Sequence, residues 1–146
     1  MLGGFPHLVW TDRQAVLKSL DNFVFGELRQ RVPKLRNIKE RSDAMLACYP
    51  GEGSRFQKHV DNTAHDGRKL TVLLYLNSPP DGGWTAFPRA DTPEPLLVQP
   101  VKGTAVLFYN MLPDGNADVY SLHAALPTRT GEKWLANLWV WDAPRL

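Results

Sequence analysis

His59-Val60-Asp61 and His123 are residue types that bind metals, and Lys133 is one that binds an anion. Residues i and i+2 of a strand point to the same face, so an extended stretch over residues 55–60 would direct the His59 imidazole and the Asp61 carboxylate toward one point. With His123 they make a two-histidine, one-carboxylate facial triad, which leaves other coordination positions of a ferrous ion open for oxygen and a cosubstrate. Iron is the expected metal. The same ligand set can hold zinc or manganese, so a cupin-like metal protein stays open as an alternative.

These side chains need strands to aim them. Residues 133–141 read as a strand with Lys133, Leu135, Asn137 and Trp139 on one face, and a lysine aimed into a barrel is costly unless an anion meets it. Spacing alone fits equally well a lysine at the strand's exposed start. His123 falls in a second predicted strand, residues 121–126, where a lone histidine could also be a hydrogen-bonded structural residue. Further strands are predicted over 44–49, 55–60, 69–77, 96–98 and 104–109, separated by Gly/Pro/Asp-rich connections such as Pro79-Pro80-Asp81-Gly82-Gly83. The 69–77 run (KLTVLLYLN) is apolar on both faces, as a central strand covered on both sides would be. Two polar connections, 62–68 and 89–95, are the expected recognition loops.

Ahead of the strands, Thr11 and Gln14 form a capping-box pattern, and Ala15, Val16, Leu20, Phe23, Val24 and Leu28 recur at helical spacing. A helix over about 12–31, ended by Pro33, is expected to pack one face on a sheet. The fold class is therefore mostly β with helical support, a sandwich or barrel. The 146 residues form one domain, with the helical support at about 11–43 and the barrel at about 44–142; 43% hydrophobic content is enough for one core.

Seventeen Lys+Arg against fifteen Asp+Glu leave a formal charge of +2, too small to argue for a nucleic-acid or membrane partner. The basic run Arg29, Arg31, Lys34, Arg36, Lys39 and Arg41 reads as a solvated face. Cys48 is the single cysteine and cannot close an internal disulfide. It reads as a small buried hydrophobe rather than a reactive thiolate. No secretory signal or membrane-spanning apolar run is seen, so a cytoplasmic or nuclear location is expected. His7 and His65 have no partner at ligand spacing, and no Ser/His/Asp or Cys/His nucleophile pattern is present.

The motifs together resemble a family. Met45-Leu46-Ala47-Cys48-Tyr49-Pro50-Gly51, His59-Val60-Asp61-Asn62, Asp66-Gly67-Arg68 and Tyr75-Leu76-Asn77 look like the catalytic domain of the hypoxia-inducible-factor type prolyl hydroxylases. Gly82-Gly83-Trp84-Thr85-Ala86-Phe87-Pro88, the stretch from Pro100 to Phe108, Pro113-Asp114-Gly115, Ser121-Leu122-His123 and Gly131-Glu132-Lys133-Trp134 resemble the collagen, plant and algal prolyl 4-hydroxylases. Both groups are iron(II)- and 2-oxoglutarate-dependent dioxygenases. The resemblance implies a double-stranded β-helix (jelly-roll) barrel, with iron on His59, Asp61 and His123. It pairs Lys133 with the distal carboxylate of 2-oxoglutarate, where the oxygen-sensing branch would place an arginine at Glu132. Tyr49 and Tyr75 match tyrosines that hydrogen-bond 2-oxoglutarate, and Thr85 a threonine beside its distal end. Trp139 matches a tryptophan on the pocket floor. Arg68 is expected to steady its loop or contact substrate. The implied reaction is hydroxylation of a peptidyl proline, with ascorbate as reductant; a different target, such as a free amino acid or another side chain, and a non-catalytic metal-binding barrel are the competing readings.

Overall fold

The computed structural model describes residues 40–41, 45–51, 53–61 and 67–141, together with Lys18, Asp21, Asn22, Gly26 and Gln30. Those five isolated positions have helical backbone; the rest of the helix predicted over 12–31, with its capping box, lies outside the described residues, as do His7 and His65. Among the described residues no helix is long and apolar enough to cross a membrane.

Among the described residues ten strands follow one another: β1 (Glu40–Arg41), β2 (Met45–Tyr49), β3 (Ser54–His59), β4 (Leu70–Tyr75), β5 (Asp81–Gly82), β6 (Thr85–Phe87), β7 (Leu96–Val98), β8 (Ala105–Tyr109), β9 (His123–Thr130) and β10 (Lys133–Trp141). They form two antiparallel sheets of five strands each. One runs β1-β10-β4-β8, with β2 sharing the β10 edge; the other runs β3-β9-β6-β7, with β5 sharing the β9 edge. This is the mostly β jelly-roll architecture expected from the strand pattern and the resemblance.

The core lies between the sheets. Leu73, Tyr75 and Leu135 are buried there, packed by Ala47, Tyr49, Val98, Val106 and Phe108, and Phe87 of one sheet meets Phe108 of the other edge-on at 5.1 Å. The outward residues Leu70, Val72, Leu138 and Val140 are also buried, so β4 and its neighbour β10 are covered on both faces, as the unbroken apolar run predicts.

Four features depart from expectation. β1 falls in the segment assigned to helical support; it takes up the part of the β10 edge that β2 leaves unpaired, with Glu40 opposite Trp141 and Arg41 opposite Val140. β5 lies where a turn is read and β6 where no strand is predicted: Gly82, at φ 81°, runs so close to β9 that a Cβ would stand 2.3 Å from the Pro127 carbonyl oxygen. β9 runs through Pro127 to Thr130 because the pairing shifts there, so that the proline's missing N–H interrupts no regular ladder. Cys48 is exposed, not buried: β2 turns Ala47 and Tyr49 toward the core, and alternation sends Cys48 outward.

Candidate active site

Cross-strand pairing assembles the three potential ligands. His59 ends β3 and is the direct partner of His123, the first residue of β9, so the two imidazoles lie side by side with ring centroids 4.3 Å apart. Asp61 follows two residues later, with Oδ1 at 3.2 Å from His59 Nε2 and 3.8 Å from His123 Nε2. One ligand atom from each of the three lies within 4.8 Å of the others.

Both histidines are held in the tautomer a metal needs. His59 Nδ1 lies 2.9 Å from the Gln57 carbonyl oxygen and His123 Nδ1 2.9 Å from that of Ser121, in the 3-10 turn Val119–Ser121. Each Nδ1 therefore carries a proton and donates it, and each Nε2 faces the shared point, where a metal would take its lone pair; in the free fold His59 Nε2 hydrogen-bonds Asp61 Oδ1. The carboxylate is held from behind. Thr71 Oγ1 donates to Asp61 Oδ2 at 2.6 Å and Trp139 Nε1 donates to the same oxygen at 3.1 Å, which leaves Oδ1 for the imidazole side. Burial would raise the Asp61 pKa, but the hydrogen bonds from His59 and Thr71, the charge of His123 and the Trp139 contact outweigh it and hold the group at about 2. The Asp61 hydrogen bond raises the His59 pKa, while burial lowers that of His123. Donor set, tautomers and spacing fit a divalent first-row metal.

At the start of β10, Lys133 has no exposed surface, and no acidic side chain among the described residues pairs with it. Its Nζ reaches Thr85 Oγ1 at 3.5 Å and lies 5.4 Å from the ring centres of both Tyr49 and Tyr75. Burial pushes the ammonium down to about 8. This settles the choice the spacing leaves open: Lys133 points inward. Tyr75 donates to Thr85 Oγ1 at 2.7 Å, so the Thr85 hydroxyl proton stays available to an anion beside Nζ. Burial raises the pKa of both tyrosines and keeps them neutral donors.

The two clusters share one cavity of about 450 Å³, lined by His59, Asp61, His123, Lys133, Tyr49, Thr85, Trp139 and Arg68 among others. Tyr75, predicted among them, stands behind Thr85 instead of on the wall. Trp139 lines the cavity as expected, and its indole N–H also holds Asp61. The Arg68 guanidinium lies 4.2 Å from the Trp139 ring centre, and Nη1 donates to the Asp61 carbonyl at 3.0 Å, which fits a role in steadying its loop. Asn137, on the predicted Lys133 face of β10, also lines the cavity, and sequence reasoning missed Thr71. A hydroxyl inside the apolar Leu70–Tyr75 run, two residues from Leu73 and four from Tyr75 on the same face, was the available signal.

Residues 44–141 match the family model described as the 2OG-Fe(II) oxygenase superfamily. The chain belongs to that superfamily. Within it the chain is similar to the human transmembrane prolyl 4-hydroxylase, 31% identical over 80% of this chain and 34% of that protein, so it spans about a third of that relative's length. Among solved structures it is similar to the viral collagen prolyl hydroxylase of Paramecium Bursaria Chlorella virus-1 in its 2OG complex, with a TM-score of 0.66 at 27% identity over 98% of this chain and 78% of that one. It is also similar to a prolyl hydroxylase from Trichoplax adhaerens in complex with a hypoxia inducible factor peptide fragment, with a TM-score of 0.64 at 27% identity, covering 89% of this chain and 55% of that one. Membership of the superfamily and the geometry of the cavity agree on a divalent iron site with an organic acid beside it.

Proposed function

We propose that the chain is a peptidyl-proline 4-hydroxylase: a peptide proline, 2-oxoglutarate and O₂ give 4-hydroxyproline, succinate and CO₂. The observation that carries this reading is a buried ammonium, with no carboxylate partner among the described residues, facing the same cavity as a two-histidine, one-carboxylate set. An ammonium is stable there when an anion meets it, and a five-carbon diacid can bridge from a metal to such an anchor. The relatives' substrates support the choice of proline.

His59 Nε2, His123 Nε2 and Asp61 Oδ1 would hold the iron. Ferrous iron and 2-oxoglutarate, held there, would supply the oxidising power that divides O₂ between the substrate carbon and succinate. The chain's own residues bind and orient. Lys133 neutralises the distal carboxylate by a charge-assisted hydrogen bond, Thr85 donates its free proton beside it, and Tyr49 closes the same end. No side chain needs to act as general base. The exposed Phe56 ring, edge-on to His59 at 4.7 Å and lining the cavity, supports an apolar wall for a pyrrolidine ring, and Arg68 on the same lining is the proposed contact for the peptide. Ascorbate would keep the metal ferrous. The lone Cys48 supports a reducing cytoplasmic or nuclear setting.

The test is to load ferrous iron and 2-oxoglutarate anaerobically, admit oxygen, and follow succinate with a panel of proline peptides. Peptide-dependent succinate with one added oxygen on proline is expected. Iron binding with no turnover on any peptide would defeat the hydroxylase reading, and oxygen found on another side chain or on a free amino acid would move it to that target.

A further inference from the structure

Asn110 follows β8, is fully buried, and is not on the cavity wall. Its backbone is pinned on both sides: its N–H donates to the Lys69 carbonyl and its carbonyl accepts from Asp118 N–H, each at 2.9 Å. Its side-chain Nδ2 donates to Thr71 Oγ1 at 2.8 Å, and Thr71 Oγ1 is the atom that donates to Asp61 Oδ2 at 2.6 Å.

A hydroxyl has one proton to give. The 2.6 Å contact with a carboxylate oxygen requires that proton, so Thr71 must accept from its other neighbour. Asn110 meets the requirement only with its amino group toward Thr71. Turned over, its carbonyl would compete for the same proton and leave Thr71 and Asp61 with two acceptors face to face. The observed orientation has a cost, because Asn110 Oδ1 is buried with no hydrogen-bond partner among the described residues. A side chain selected only for packing would not need that orientation.

We infer that Asn110 is a positioning residue for the metal-binding carboxylate. It occupies the Thr71 lone pair, commits the Thr71 proton to Asp61 Oδ2, and so keeps Asp61 Oδ1 turned toward the two imidazoles. The chain of contacts links the end of β8 to the metal ligand through β4, and neither Asn110 nor Thr71 touches the metal. The inference rests on the proposed role of Asp61 as a ligand.

The experiment is a double-mutant cycle on Mn(II) affinity, read by titration calorimetry on the whole chain and needing no turnover. Outer partners of metal ligands typically contribute tenfold or more in affinity, so Thr71→Val should weaken binding on the order of tenfold, and Asn110→Ala, one link further out, roughly three- to tenfold. In the Thr71→Val background Asn110→Ala should have no further effect, and Thr71→Ser should keep affinity near that of the wild type. Should Asn110→Ala not fold, Asn110→Val, closer in volume and equally without a donor, takes its place in the cycle. Equal losses from the Asn110 substitution in both backgrounds, or none in either, would overturn the inference while leaving the metal site standing. A wild-type chain that binds no Mn(II) would overturn both.

Discussion

The Lys133 ammonium is buried beside two phenol rings, with no carboxylate partner among the described residues, so its titration should report on the anion it binds. The free Lys133 is protonated below about 8 and loses its proton above it. Only the ammonium pairs with the distal carboxylate, so 2-oxoglutarate affinity should be flat below pH 8 and fall about tenfold for each unit above it. Lys133→Arg stays charged throughout and should flatten that profile even if its absolute affinity drops; an unchanged profile would detach the titration from residue 133. Lys133→Ala should raise the 2-oxoglutarate requirement on the order of 100-fold, the scale of a lost buried charge pair, with Mn(II) affinity nearly unchanged. Trp139→Phe keeps a smaller aromatic ring but removes the N–H on Asp61, so the opposite split is expected: metal affinity down about tenfold, 2-oxoglutarate binding to the loaded protein little altered. The three candidate ligands stand out in the sequence by residue type and spacing, whereas Lys133 does not: spacing fits an exposed strand start equally well, and only the family resemblance points to an anchor. Thr71 and Asn110 do not stand out either, because their meaning lies in a contact between β4 and the end of β8 that no local pattern records.

At the scale of elements, the site is a product of register. His59 opposes His123, and Lys133 opposes Tyr49, so a slip of one residue in either pair would turn a ligand or the anchor outward. Two adjacent glycines separate what the strands do for the fold from what they do for the site. A Cβ at Gly82 would press into the β9 backbone, whereas one at Gly83 would stand 3.0 Å from Thr128 Oγ1 and 3.1 Å from Lys133 Cδ. Gly82→Ala is therefore expected to cost stability by about 3 kcal/mol or more in denaturant melts, since backbone cannot yield cheaply. Gly83→Ala, also strained at φ 70°, should lose less stability and should chiefly weaken 2-oxoglutarate binding by displacing the Lys133 stem. Equal stability losses with 2-oxoglutarate binding intact would show that Gly83 serves only the turn. These strands also mark where sequence reading ended. The long strands came through to within a few residues because their hydrophobic patterns are strong. β5 was hidden because Asp81-Gly82 reads as a turn, and the end of β9 because Pro127 reads as a stop. Cys48 was misplaced because burial on an edge strand depends on which face is covered, which its neighbours in sequence do not tell.

For the whole molecule, holding a cosubstrate anchor inside a barrel sets stability against function. Unfolded, Lys133 titrates near its ordinary value of about 10.5; folded, it titrates at about 8. Below pH 8 both states are protonated and the free fold bears the full penalty of the buried charge. Between about 8 and 10.5 the unfolded chain binds the additional proton, so stability should rise with pH and then level off, a gain on the order of 3 kcal/mol from this one group. Lys133→Met, similar in length and uncharged, removes the penalty. The free variant should melt above the wild type at pH 7, and the gap should close as pH rises through the wild-type titration. Mn(II) with 2-oxoglutarate should raise the wild-type melting temperature in a concentration-dependent way, because a ligand that binds only the folded state stabilises it by mass action. On the variant, 2-oxoglutarate should add little to the shift that Mn(II) alone produces. Melting curves of both proteins at pH 7 and pH 10, free and loaded, decide the matter: a variant less stable than the wild type when free would mean that Lys133 is already satisfied within the fold, and that the barrel was not built around an absent anion.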